Sequence, residues 1–533
     1  MLTRHFIPVF LLLLAASIQA FAKPNILFFF ADDWGRYASI YAEKGTPSLN
    51  DVIATPHIDR IGAEGVVFEN AFVPVASCGP CRASLATGRY FWNCGTGAFL
   101  NRKDSDWKGH NNAFNSLPKF VDVLRDSGNY FVQRSGKTFA FQASKPTAAM
   151  KAFGPVEYER YGLYVGAAKT KEERKARHRD IVENSRREIQ KILKGPKDQP
   201  WFFVYGSINV HRPYVPDSGM KLWGIDPDSL KGRIPRYLPD VEDVRRDFSD
   251  YLGEVLALDL KLGVMIEELE KAGELDNTLI MLSGDHGIPG VPRGKTNCYD
   301  LGTRVPMLVR WPDKIPAGRR VRDFISVMDV GPTLLEAAGV SDPPKMDGRS
   351  FYPQLLSQKS GVVDPERNRV VIGRERHVSH SRPGNIPYPM RAIRTAEFLY
   401  IKNFKPERWP MGDPFDAADL ANPKALYEMG LSTYPAYKDL DGSLTKAYLM
   451  SKRDAEENDR FKLVMEHRPA EELYRLDGDP DHLKNLAKDP ELQSVLEGFR
   501  NDVEQVMQET KDPRLEDRFD YRPWCAPGLK AVE

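Results

Sequence analysis

Residues 25–31 read Asn-Ile-Leu-Phe-Phe-Phe-Ala, an apolar run without alternation that stops at Asp32-Asp33. A strand with one wet face alternates apolar and polar side chains, so a run apolar at every position is the pattern of a strand covered on both faces in a parallel sheet. Trp201–Tyr205 and Thr278–Leu282 have the same character, and they run on to Asn209-Val210-His211 and to Asp285-His286. Gly128–Val132 is a weaker strand candidate leading to Gly136-Lys137. Between these runs lie segments of helical period: Ile181–Leu193, and Tyr251–Gly273 with apolar Leu252, Val255, Leu256, Leu262, Ile266 and Leu269. Strands alternating with helices predict an α/β fold, a large doubly wound mixed or parallel sheet flanked by helices.

In open α/β sheets ligands bind beyond the carboxyl ends of the strands. Asp32, Asp33, Lys137, His211, Asp285 and His286 all follow such ends, so residues distant in sequence are expected to converge on one pocket. The character changes after the helical segment Val330–Ala338, through Pro343-Pro344 and the polar stretch 357–369. We expect a large domain over residues 23–345 and a smaller C-terminal α+β domain over 346–533 that completes the pocket. The latter should carry an antiparallel sheet, with strands Met390–Arg394 and Phe398–Ile401, and a helix over Pro490–Glu509.

At the start, Arg4 and His5 precede the apolar run Phe6–Ala16, and Ala20-Phe21-Ala22 is a small-x-small cleavage site. That is the layout of a secretory signal peptide over residues 1–22. The run is shorter than the ~20 residues a bilayer span needs, so no stable membrane span is expected. The expected location is periplasmic or extracellular, or a lysosomal-type compartment in a eukaryote. A formal net charge of +1 leaves no basic footprint for nucleic acid, and 41% hydrophobic residues leave no case for disorder. Five cysteines are few for an exported chain and odd in number, which argues against a disulfide scaffold. Cys78-x-x-Cys81 has no second cysteine pair or histidine pair at zinc spacing, so a different role for Cys78 has to be considered.

Cys78-Gly79-Pro80-Cys81-Arg82, followed by Ala83-Ser84-Leu85-Ala86-Thr87-Gly88-Arg89, is the most specific signal in the chain. Pro80 has a fixed φ suited to a first helical turn, which sets Cys78 at a helix N-terminus where unpaired N–H groups favour an anion. The bland alternative is a cysteine at a turn that merely begins a helix. The segment resembles the signature of the formylglycine-dependent (type I) sulfatases of the alkaline phosphatase superfamily, which opens Cys-x-Pro-x-Arg and closes with a glycine. The resemblance implies that Cys78 is converted to formylglycine (3-oxoalanine) by a formylglycine-generating or anaerobic sulfatase-maturating enzyme, and that Arg82 steadies it. A hydrated aldehyde can attack sulfur with one oxygen and later expel sulfate by deprotonating the other.

Asp32-Asp33 and Ser283-Gly284-Asp285-His286-Gly287 resemble the two halves of that family's metal site. Taken singly, Asp-Asp after a strand reads as a turn or cap, and His286 as structural. Together they read as one site of Asp32, Asp33, Asp285 and His286, with modified Cys78 as a further ligand. One Ca²⁺ is implied, since it tolerates an irregular sphere of ~6–8 ligands. Histidine here is a family variant of asparagine. Lys137, His211 in Asn209-Val210-His211-Arg212-Pro213 and Lys295 in Arg293-Gly294-Lys295 resemble the sulfate-binding cations, the charge that a developing sulfuryl group requires. One departure concerns the family's Gly-Lys-x-His: Gly136-Lys137-Thr138-Phe139 has no histidine. Either His211 acts alone as general acid or another histidine has taken over.

The resemblance runs from Lys23 to about Pro527 and includes Glu472-Leu473-Tyr474-Arg475-Leu476 and Asn485-Leu486-Ala487. Tyr388-Pro389-Met390-Arg391, Asn403-Phe404-Lys405 and Trp524-Cys525-Ala526-Pro527 resemble the heparan N-sulfatase (sulfamidase) branch. In the loop Arg374–His380, Arg374, Arg376, His377 and His380 are candidates to read further anionic groups of a sulfated sugar. A solvated polar loop is the other reading. The implied activity is calcium-dependent hydrolysis of sulfate esters, or N-sulfate, on exported oligo- or polysaccharides. The rivals are a phosphomonoesterase or phosphonate monoester hydrolase of the same superfamily, and a carbohydrate-binding homologue without catalysis.

Overall fold

The computed structural model describes residues 23–99, 111–138, 160–414, 422–455 and 459–520; the segment expected to be a signal peptide and the Trp524–Pro527 motif lie outside them. The larger sheet is built from β1 (Asn25–Ala31), β2 (Val66–Phe72), β3 (Phe131–Gly136), β4 (Trp201–Gly206), β5 (Thr278–Gly284), β6 (Met307–Arg310) and β7 (Arg319–Ser326). Its order is β3-β4-β1-β5-β6-β2-β7. The central β1 pairs parallel with both β4 and β5, and all seven of its residues are buried, hence the unbroken apolar run. β6 runs antiparallel to β5 and β2, so the sheet is mixed.

Flanking helices are α1 (Pro56–Ala63), α2 (Cys78–Thr87), α3 (Phe120–Asp126), α4 (Lys171–Leu193), α5 (Glu242–Lys271) and α6 (Val330–Ala337). Alternate strand residues feed two cores. Leu27, Phe29, Phe203, Tyr205 and Ile280 pack with Leu252, Val255, Leu258 and Leu262 of α5. On the other face Ile26, Phe28, Phe30, Phe202 and Met281 meet Leu85 of α2, Leu124 of α3 and Leu334 of α6. Each such side chain contributes ~1.5–3 kcal/mol on burial.

Two boundaries differ from expectation, each for a local reason. The chain at Gly128 closes the preceding helix, with Gly128 N–H donating to Val123 O and Asn129 at φ 59°, so the strand is Phe131–Gly136 and not Gly128–Val132. α4 begins at Lys171 because the Thr170 hydroxyl accepts from Glu173 N–H at 3.0 Å. Its first turns are polar and carry no apolar period to read.

A second, four-stranded antiparallel sheet lies wholly in the C-terminal region: β8 (Arg369–Arg374), β9 (Met390–Thr395), β10 (Phe398–Asn403) and β11 (Glu471–Arg475), in the order β11-β10-β9-β8. α7 (Leu444–Ser451) packs on α5, and α8 (Gln493–Glu509) covers one face of this sheet through Leu496, Phe499 and Val503. The other face, with Ile372, Ala392, Leu399 and Ile401, packs on Phe72, Tyr299 and Phe324. None of the described helices is long and apolar enough to cross a membrane.

Candidate active site

The carboxyl ends of β1, β3, β4 and β5 deliver polar residues to one place. Asp32 N–H donates to Ser207 O at 2.8 Å just past β4, and Asp285 N–H donates to Ala31 O at 3.1 Å. Asp33 sits at φ 60°, a left-handed conformation that lets its own N–H donate to Asp285 Oδ1 at 2.8 Å. The acidic segments are therefore hydrogen-bonded to each other. Cys78 opens α2 after Ser77, an extended N-cap, and every residue of α2 is buried. Its Sγ lies 3.1 Å from His286 Nε2 and 3.8 Å from Asp33 Oδ1.

Arg82 lies one turn along α2, with its guanidinium fully buried. Nε donates to Asp285 Oδ2 at 2.9 Å, Nη2 to Asp32 Oδ1 at 3.2 Å, and Nη1 to the carbonyls of Lys137 (2.6 Å) and Thr138. Its donors all go to carboxylates and carbonyls, so Arg82 orients the acids that surround the thiol. Lys137 Nζ is 2.6 Å from Asp32 Oδ2, and His211 Nε2 is 3.8 Å from the same oxygen. Lys295 Nζ stands between Asp33 Oδ2 at 3.2 Å and Asp441 Oδ2 at 3.1 Å. His211 Nδ1 lies 2.6 Å from Arg212 O. A carbonyl can only accept, so Nδ1 carries the proton and Nε2 is the face turned to the cluster.

Three buried carboxylates, Asp32, Asp33 and Asp285, thus face three cations, Arg82, Lys137 and Lys295. Burial alone would raise the Asp32 carboxyl, but Lys137, His211 and Arg82 outweigh it and hold it well below the usual carboxylate range. Asp285 is raised by burial, which His286 and Arg82 only partly offset. Burial would lower Lys137 and Lys295, yet Asp32 for the first and Asp33 for the second hold them above the ordinary lysine value. The Cys78 thiol is pushed up, first by burial and then by the charge on Asp32.

The donor set suits a metal ion. Ligand atoms of Asp32, Cys78, Asp285 and His286 lie within 4.8 Å of one another, as do those of Asp32, Asp33, Cys78 and His211. Oxygen-rich donors of this kind fit a hard divalent cation.

Gly206, at the end of β4, makes this convergence possible. A Cβ there would sit 1.8 Å from Lys137 O, the atom that accepts from Arg82. Gly206→Ala is expected to displace Lys137, lowering kcat/KM by ~10-fold or more and stability by ~1–3 kcal/mol. Steady-state kinetics and a thermal melt check this.

The loop after β8 is not a solvated rim. Arg374 and Arg376 are each 2% exposed and His377 is 3% exposed. Arg374 pairs with Asp439 Oδ2 at 2.5 Å and donates to Pro410 O at 2.8 Å. Arg376 donates to Asn385 O at 3.0 Å and lies 4.9 Å over the Phe99 ring. Both guanidiniums bind the fold itself. His380 is exposed at φ 62°, its N–H bonded to Asn385 Oδ1. Of these four residues His377 alone meets the cluster, its Nδ1 2.8 Å from the hydroxyl of Ser77, the N-cap of α2. Burial and then the charge of Lys295 push His377 down to about 3, so it is neutral.

Asp439 and Asp441 escaped the sequence reading. Lys446 Nζ holds their loop by donating to the carbonyls of Ser432 (3.1 Å), Thr433 (3.3 Å), Ala436 (2.7 Å) and Leu440 (3.0 Å). The only local hint is the pattern Asp439-Leu440-Asp441-Gly442 ahead of a helix, which reads as an ordinary turn.

Comparison with known proteins gives a consistent result. A family model described as Sulfatase matches residues 24–340, and one described as N-sulphoglucosamine sulphohydrolase, C-terminal, matches residues 293–414. An ulvan-active sulfatase of Formosa agariphila is 25% identical over 503 residues, spanning 92% of this chain and 76% of that protein. The N-sulphoglucosamine sulphohydrolase of Homo sapiens is 27% identical over 528 residues, spanning 92% of this chain and 91% of that one. A solved structure described as a complex with its substrate D-glucosamine-2-N,6-O-disulfate shares the fold, with TM-score 0.62 at 18% identity over 93% of this chain and 100% of that one.

Proposed function

Because this chain belongs to the sulfatase family and is therefore a sulfuric ester hydrolase, we propose that it is exported and removes sulfate from sulfated carbohydrates, using formylglycine made from Cys78 and one bound Ca²⁺. The observation that carries this reading is the position of Cys78 Sγ, 3.1 Å from His286 Nε2 and 3.8 Å from Asp33 Oδ1 at the buried start of α2. The match of residues 293–414 to the C-terminal region of N-sulphoglucosamine sulphohydrolase supports an N-sulfated amino sugar as the first substrate to try.

Asp32, Asp33, Asp285 and His286 would hold the ion, which would draw electron density from a sulfate oxygen. The hydrated aldehyde at position 78 would supply the nucleophilic oxygen. Arg82 fixes Asp32 and Asp285, and so would hold both carboxylates in place for the ion. Arg82, Lys137 and Lys295 match Asp32, Asp33 and Asp285 in charge and Asp441 adds one further negative charge, so a bound dication would still leave net positive charge for a sulfate group. Lys137, paired with Asp32, and Lys295, paired with Asp33, would donate to sulfate oxygens as charge develops on them. His211 directs Nε2 at the same space, and its protonated form donates to the leaving oxygen or nitrogen. No histidine follows Lys137, so that proton falls to His211.

Purified protein from a host that matures such enzymes should release sulfate from a panel of sulfated glycans, and hydrolyse an aryl sulfate in preference to an aryl phosphate. Mass spectrometry of the peptide carrying Cys78 should show the aldehyde in place of the thiol. A thiol in native-host protein that releases no sulfate would instead favour the carbohydrate-binding reading. Chelation is expected to lower turnover ~100-fold or more and to lower the melting temperature, both restored by Ca²⁺, since an ion that binds only the folded state stabilises it.

A further inference from the structure

The cluster contains one carboxylate more than its ion balance needs. Asp441 comes from the loop before α7, which Lys446 holds from within and which Ser443 pins by donating to Gly290 O at 2.7 Å. Its side chain is 18% exposed, whereas those of Asp32, Asp33 and Asp285 are 0% exposed, so it is the one of these four acids that solvent reaches. It stays ionised: burial would raise it, but the charge of Lys295 outweighs that and holds it below the usual carboxylate range. Among the described residues Lys295 is its one ion-pair partner, at 3.1 Å. A solvent-reached anionic group beside Lys295, one of the cations assigned to sulfate above, opposes the main substrate charge, which requires an explanation.

We propose that Asp441 forms a hydroxyl-reading subsite at the rim of the sulfate cavity, beside Lys295 and His211, which selects sugars with a hydroxyl next to the sulfated position and disfavours a second anionic group there. The proposal rests on the sulfatase reading above. A sugar hydroxyl can donate to the carboxylate oxygen not facing Lys295, and a carboxylate accepts such bonds at roughly twice the strength of a neutral acceptor. A neighbouring sulfate has no proton to give and meets like charge in a half-desolvated setting. Lys295 then contacts two acids with different duties: Asp33 at the ion and Asp441 at the sugar. If Asp441 served only to hold Lys295, its removal would slow every substrate by the same factor and leave the preference between substrates untouched.

That difference is the test. Wild-type, Asp441→Asn and Asp441→Glu proteins are compared on N-sulfoglucosamine and on its 3-O-sulfated derivative. The readouts are kcat/KM for sulfate release and, in a Cys78→Ala background, calorimetric Kd. Wild type should favour the sugar with the free 3-hydroxyl by ~10-fold or more. Asp441→Asn should bring that ratio close to one, and Asp441→Glu should keep most of it. An unchanged ratio in Asp441→Asn, or a wild type that prefers the disulfated sugar, overturns the proposal. Failure of the sulfatase reading would look different: no sulfate would be released from either sugar or from 4-nitrophenyl sulfate, while the Kd ratio would still decide the role of Asp441.

Discussion

Cys78→Ala protein is expected to fold and melt close to wild type and to release sulfate at least ~10⁴-fold more slowly, as loss of a nucleophile does in other hydrolases. The fold should tolerate the change because little depends on the thiol. Its short contacts are with His286 Nε2 and Asp33 Oδ1, and α2 is started by Ser77 and closed by Gly88 at φ 62°. Losing one buried sulfur costs ~1 kcal/mol. Circular dichroism melts set beside sulfate release by ion chromatography separate the two effects. Substantial residual turnover by well-folded Cys78→Ala protein would remove Cys78 from the chemistry and with it the formylglycine reading.

Arg82→Leu should have the largest effect on stability, ~3–5 kcal/mol, because it leaves two buried carboxylates without the charge that holds them. The guanidinium touches Asp32, Asp285 and the carbonyls of Lys137 and Thr138, so its loss loosens the ends of β1, β3 and β5 together. The pH dependence has a definite sign. Asp32 is held low in the folded wild type, so that contribution is present above the unfolded carboxyl value of ~4 and fades as pH falls through the folded one. In Arg82→Leu the acids are released from repulsion by protonation, so the gap in melting temperature should narrow as pH falls below ~4 in metal-free protein. A gap that widened in acid would mean that Arg82 stabilises through packing and not through its charge.

Much of this site was legible because its groups follow strands whose burial the sequence declares. The runs before Asp32, His211 and Asp285 are apolar apart from Asn25 and Thr278 at their starts, and a parallel sheet leaves its ligands at their carboxyl ends. The strand leading to Lys137 was misplaced because Gly128 and Asn129 make a helix-closing turn that looks, in sequence, like the start of a β run. The burial of Arg374 and Arg376 was not legible, because an arginine between strands looks solvated until its partners are known. The partner of Arg374, Asp439, comes from the loop before α7, and that of Arg376, Asn385, from further along the same β8–β9 connection. Asp441 was illegible because its position depends on Lys446 gathering four carbonyls, a long-range arrangement with no periodic signature.

The complete enclosure of α2 has a bearing on how the protein is made. From Cys78 to Thr87 no residue of the helix reaches the surface, and the thiol is 2% exposed. A second macromolecule cannot grip this stretch once the sheet has closed around it. Any enzyme that edits Cys78 must therefore find the chain still extended, and a copy that collapses first is committed to keeping its sulfur. The order of two events during biogenesis, editing and then collapse, would decide how much of the finished protein is competent.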